Sequence, residues 1–151
     1  PPRQPDLIQR RLATMHHRAF AAPAYINTHG MPHSLEDLDH HQLIGYDDTF
    51  HPPFVEINWM LNAGLDGNQS RRPVLRVNNI YGMYRAAASG LGIASLPDYM
   101  GQIAQDLVPV LTEMEGPAFD IYFSYPEELR HSLRIAVFRD FLLRSTGTDS
   151  N

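Results

Sequence analysis

Between Val77 and Pro97 the chain reads as one strand–helix–strand block. Ile80, Met83, Tyr84, Ala87 and Ala88 fall at i, i+3, i+4, i+7 and i+8, the apolar stripe of a helix lying on a sheet. Asn78 or Asn79 opens that helix, because a short side-chain oxygen can accept a first-turn N–H, and Gly90 suits the left-handed position just past its end. A strand Ile93–Leu96 follows. Upstream, Leu7–Ala22 reads as extended, with its best strand core at Ala19–Ala22; Pro23 starts a short helix that stops at His29-Gly30. Ser34–Leu38 predicts a capped helical turn and Gln42–Tyr46 a buried strand. Val55, Ile57, Trp59 and Leu61 alternate with Glu56, Asn58 and Met60, the period of a half-buried strand.

Asn62–Arg72, rich in Gly, Asn, Asp and Ser, predicts an exposed connection, and Val74–Val77 the next strand. Beyond Pro97 come a short helix over Asp98–Ala104, a strand at Leu107–Leu111, and a strand in which Phe119, Ile121, Phe123 and Tyr125 alternate with polar residues. Ser132 opens a last helix with Ile135, Phe138, Phe141 and Leu142 on one stripe. Leu133, Val137 and Leu143 widen it, so burial on more than one face is expected. Strands and helices in alternation indicate an α/β fold with a mixed sheet flanked by helices.

Gly90-Leu91-Gly92 invites a dinucleotide reading, but that motif follows a strand and opens a helix. Here it closes a helix and leads into a strand, so a helix cap and tight turn explain it, and no cofactor is called for. Composition narrows the field further. No apolar run approaches membrane-spanning length, and there are no cysteines, which removes disulfide and thiolate chemistry and fits a cytoplasmic setting. The twelve basic residues are all arginines, the net charge is −5, and only Arg10-Arg11 and Arg71-Arg72 form basic pairs. Specific nucleic-acid binding needs a dense basic face, which this stretch lacks.

Eight histidines are the obvious chemical candidates. His29 and His33 have Gly30 and Pro32 between them, and the adjacent pairs His16-His17 and His40-His41 point to opposite faces of a strand. Surface histidines are the expectation, and no metal site is assigned. Asp47-Asp48, just after a strand, reads as a solvated turn or a loop lining a ligand cleft. No nucleophile elbow or phosphate loop is present, and nothing assembles a nucleophile, a base and an oxyanion site. An enzyme is therefore not expected.

Several segments in order resemble the effector-binding domain of LysR-type transcriptional regulators. They are Ala21–Ile26, Ser34–Leu38 followed by His41, Ala86–Pro97 (the nearest match), Leu107–Leu111, Ile121–Pro126 and Val137–Leu142. The resemblance covers nearly the whole chain, and it rests on the order and spacing of these pieces. It implies a periplasmic-binding-protein-like fold, two α/β subdomains joined by crossing strands with a small effector between them. Against the family pattern the chain is similar to a fragment centred on the second regulatory subdomain. Residues 1–20 would be the tail of the first, 21–118 the second, and 119–151 the returning strand and helix of the first. The DNA-binding helix-turn-helix would lie outside this sequence.

Carried over by resemblance, the cleft-lining candidates are Tyr46, Asp47 and Asp48, the helix start Asn78, Asn79 and Ile80, and Tyr122 on a crossing strand. Each has a plain structural alternative: Asn79 capping its helix, Tyr46 packing. The implied partners are a small effector, anionic or amino-acid-like, and further copies of the chain; DNA is reached only through the absent domain. A solute-binding protein for transport shares the fold and stands as the alternative.

Overall fold

The computed structural model describes residues 6–47, 49, 52 and 54–145. Six strands and five α-helices follow one another along them, alternating as far as β5: β1 (Leu7–Ala21), α1 (Pro23–His29), β2 (Leu43–Tyr46), α2 (Trp59–Asn62), β3 (Leu75–Val77), α3 (Ile80–Ala88), β4 (Ile93–Pro97), α4 (Asp98–Ile103), β5 (Val108–Val110), β6 (Ala118–Pro126) and α5 (Leu133–Ser145). Contacts divide the chain into two compact units, Pro1–Met15 with Ala118–Asn151, and His16–Pro117.

The second unit holds the core. Its sheet runs β3-β2-β4-β1-β5, with β3, β2 and β4 parallel and β1 antiparallel to both β4 and β5. β2 is buried at every position, as a central strand covered on both faces must be. Met83 and Ala87 on α3 and Ile93, Ala94 and Leu96 on β4 are fully excluded from water. The larger of these contribute roughly 1.5–3 kcal/mol each. Asn79 caps α3 by accepting the Gly82 N–H at 2.6 Å, and Gly90 takes φ +82°, ending the helix as its sequence position predicts. A Cβ at Gly92 would strike the Gln42 carbonyl oxygen, which the Ile93 N–H meets at 2.8 Å, so only glycine lets β4 come up beside β2 here.

The expected strand over Val55–Leu61 is instead a 3-10 turn, Val55–Asn58, running into α2. Parallel β2 and β3 need a crossover, and a helical one buries Ile57, Met60 and Leu61 together at i, i+3 and i+4. The alternation in the sequence is therefore coincident with, and overruled by, a helical stripe.

In the first unit β6 pairs with β1, and Asp120 on β6 accepts hydrogen bonds from Thr14 Oγ1 at 2.7 Å and Arg11 at 3.1 Å. Phe138 on α5 meets Phe123 edge-on at 5.7 Å. The burial expected of α5 is not found: no residue of it is buried, and Leu133, Val137, Phe138 and Phe141 are 50–81% exposed.

Candidate functional site

Because β3, β2 and β4 are parallel, their carboxyl ends, Val77, Tyr46 and Pro97, share one edge. Open α/β sheets receive ligands at such an edge. α3 and α4 both start there, and His17 of β1 lies beside Pro97. Of the residues proposed from sequence, the second unit brings together Tyr46, Asp47, Asn78, Asn79 and Ile80. Asp48 lies outside the described residues. Tyr122 belongs to the first unit, where its hydroxyl donates to Asp120 Oδ2 at 3.4 Å.

Tyr46 is pinned on every side. Its N–H donates to Asn58 Oδ1 at 2.7 Å, and its carbonyl accepts from Asn58 Nδ2 at 3.0 Å and the Arg76 guanidinium at 3.2 Å. Its phenol donates to the Asn78 carbonyl at 2.7 Å, so the hydroxyl proton is spent inside the protein. Tyr46 thus ties the end of β2 to the loop that launches α3. The Asn79 side chain takes the Gly82 amide, and the Met83 amide reaches the Asn79 carbonyl at 3.2 Å. The Ile80 and Tyr81 amides stay outside the helix's own ladder and aim its positive end forward.

The Asp47 N–H donates to the Val77 carbonyl at 3.0 Å, joining the ends of β2 and β3. Its carboxylate accepts from the Thr49 hydroxyl at 2.7 Å and amide at 3.0 Å. Those two bonds, with smaller help from the Arg76 charge, hold its pKa below the usual aspartate value, so it is ionised at neutral pH. The edge therefore presents a helix N-terminus, which favours negative charge, and a fixed carboxylate, which favours positive charge.

Sequence reasoning missed the residues beneath this edge. His17, expected on the surface, is 1% exposed, and with Ser95 it forms the buried polar pair among the described residues. Ser95 Oγ accepts the Trp59 indole N–H at 2.8 Å and sits 3.1 Å from His17 Nδ1. The Ser95 hydroxyl keeps a second lone pair and its own proton, so it can meet His17 Nδ1 in either tautomer of the imidazole. Burial pushes the His17 pKa down to about 4, offset in part by the Asp98 carboxylate. Phe54 stands edge-on to the imidazole at 4.8 Å. A local alternation in β1, with His16 and Arg18 exposed and His17 and Ala19 buried, was the usable signal.

Arg71, placed by its sequence in an exposed connection, is another miss. Its guanidinium side chain is 7% exposed and binds Asp39 at 2.6 Å and the carbonyls of Met60, Ala63 and Leu35 at 3.1, 2.6 and 2.9 Å. It anchors the long connection against α2. Among the described residues no group of His, Asp and Glu is placed to hold a metal ion, and no helix is long and apolar enough to cross a membrane.

Comparison with known proteins gives this geometry its setting. The regulator CrgA of Neisseria meningitidis, an HTH-type transcriptional regulator, is 30% identical over 151 residues, which cover 95% of this chain and 48% of the relative. An HTH-type regulator of Haemophilus influenzae is 29% identical over 133 residues, 83% of this chain and 43% of the relative. The chain thus spans under half the length of these curated relatives. The solved regulatory domain of CrgA superposes with a TM-score of 0.75 at 27% identity, covering 95% of this chain and 71% of that one. Full-length AphB of Vibrio cholerae, described as a virulence activator, superposes with a TM-score of 0.71 at 25% identity, covering 96% and 50%. The fold is the periplasmic-binding-protein-like arrangement of these regulatory domains, and relatives named as regulators favour that reading over the transport alternative. The family model for the LysR substrate binding domain matches residues 1–147, and the chain belongs to that family.

Proposed function

We propose that this chain is the ligand-sensing part of a cytoplasmic bacterial LysR-type transcriptional regulator, a binding module and not an enzyme. On this reading residues 21–118 are the second regulatory subdomain, and residues 1–20 and 119–151 belong to the first. The effector is a small molecule carrying a carboxylate or similar anion, with an amino-acid-like or amide group beside it. DNA contact and oligomer assembly belong to the whole regulator.

The observation that carries this reading is the pairing, at the carboxyl edge of three parallel strands, of the α3 N-terminus with an ionised Asp47. The Ile80 and Tyr81 amides suit an anion, and Asp47 suits an amine or amide N–H. Asn78 and Asn79 supply neutral polar contacts on the same loop. Tyr46 shapes the site by holding that loop, and Tyr122 is retained as a candidate on family resemblance alone.

The test is calorimetric titration of the full-length regulator with a panel of amino acids, simple carboxylates and inorganic phosphate. Saturable binding of an amino acid or amide-bearing carboxylate is expected, weakened by Asn79→Ala. That change also costs about 1 kcal/mol of stability through the lost cap. If titrations of wild type and Asn79→Ala overlay, Asn79 is a cap and nothing more. If only phosphate or simple carboxylates bind, Asp47 has no part in recognition.

A further inference from the structure

The chain enters the second unit at His16 and leaves it at Pro117. These two points are joined directly: the His17 N–H donates to the Pro117 carbonyl at 2.9 Å. A side chain at Gly116 would collide with the His17 carbonyl oxygen and crowd the Trp59 ring at 3.3 Å, so the entry, the exit and Trp59 are packed into one knot. Inside the knot the Trp59 indole, the Ser95 hydroxyl and His17 Nδ1 form the hydrogen-bonded chain already described. At its other end Trp59 adjoins Asn58, which grips both backbone groups of Tyr46. Tyr46 in turn holds the Asn78 carbonyl beside the α3 cap.

We propose that Trp59, Ser95 and His17 act as a relay, coupling the state of the α3 cap loop to the two strands that carry the chain out of this unit. The inference rests on the reading of that edge as the effector site, and it supplies what a sensor needs beyond a pocket: a continuous mechanical link from the site to the exits. Every joint is a directional hydrogen bond or a close contact. Two of its side chains, His17 and Ser95, are sealed from water, where such bonds tolerate little rearrangement. A shift of the Asn78–Asn79 loop therefore moves Tyr46, then the Asn58–Trp59 turn, and through Ser95 the ring and backbone of His17. These three are positioning residues; none is assigned to touch the effector.

The relay is tested by a double-mutant cycle. Amide hydrogen exchange is followed by NMR in the intact chain at the His17 N–H, with the Ile93 N–H, bonded to the Gln42 carbonyl at 2.8 Å and carried by a residue fully excluded from water, as a control for global opening. Asn79→Ala should speed His17 exchange several-fold more than Ile93 exchange. In a Ser95→Ala background the same change should leave the two amides responding equally. Trp59→Phe, which keeps a ring but removes the indole donor, should give the same uncoupling should Ser95→Ala fail to fold. Equal acceleration of both amides by Asn79→Ala alone, or coupling that survives the broken relay, overturns the proposal. The effector titrations judge the site reading separately: a coupled His17 amide in a regulator that takes no ligand rejects the site and keeps the relay.

Discussion

Replacing Arg71 with alanine tests whether the long connection between α2 and β3 is held by an ion pair or by backbone carbonyls. Asp39, the ion-pair partner, is half exposed at 49%, whereas the Arg71 side chain is 7% exposed and also serves three carbonyls. Exposed ion pairs contribute at most about 1 kcal/mol. Hydrogen bonds from a charged donor contribute roughly 1.5–3 kcal/mol each, and acceptors stripped of their donor retain a desolvation cost unless water reaches them. Allowing for partial rewetting, Arg71→Ala should cost about 3–4 kcal/mol, a large share of an ordinary domain's stability. Asp39→Asn should cost about 1 kcal/mol or less. Arg71→Lys should fall between, since one ammonium cannot serve four acceptors in a fixed fork. Urea denaturation followed by circular dichroism separates the three, as a shift in midpoint of roughly 2 M for Arg71→Ala at unchanged slope. If Asp39→Asn costs as much as Arg71→Ala, the ion pair alone holds the connection and the carbonyls contribute nothing.

Two further outcomes are expected. His17 is neutral in the fold, with a pKa near 4 against an ordinary 6.5, so between those values the unfolded chain takes up a proton that the folded one refuses. Stability is therefore complete above about pH 7 and declines on acidification, by at most about 2 kcal/mol near pH 5. Denaturation midpoints across this range should flatten in His17→Gln, and an equally steep wild type and variant would show that other groups set the slope. The exposed Leu133, Val137, Phe138 and Phe141 should drive self-association of the isolated chain, which light scattering detects. Val137→Glu with Phe141→Glu, which spares the Phe138–Phe123 contact, should shift it to monomer; a monomeric wild type at high concentration would contradict this.

The sheet and most helices were legible because their signals are local. Asn79 as cap, Gly90 at positive φ and the Pro23 helix start are choices that a few neighbouring residues settle by themselves. The Val55–Leu61 crossover was not, because its seven residues satisfy a period of two and a helical stripe at once, and only the parallel pairing of β2 with β3 decides between them. The candidate edge was half legible. Asn78, Asn79, Tyr46 and Asp47 stand at strand and helix ends that periodicity locates. The residues that hold the edge in place, Asn58, Trp59, Ser95 and His17, meet across up to 78 residues of sequence, so although alternation hints that His17 turns inward, no window shows the four as a group. Arg71 was hidden for the same reason: a buried arginine in a polar loop looks like a surface one until its acceptors are known.

The bond between His17 and Pro117 has a consequence for engineering. A segment whose first and last residues touch is topologically an insertion, a closed cassette carried on two adjacent stems. Residues 16–117 also contain the whole of the main apolar cluster. That combination is what permits a domain to be lifted out and spliced into a tight turn of an unrelated host, or to have its ends joined and new termini opened elsewhere. The Asn62–Arg72 connection is not the place for such an opening despite its loop-like composition, because Arg71 fastens it; the turn at Gly30, beyond α1, is the better choice.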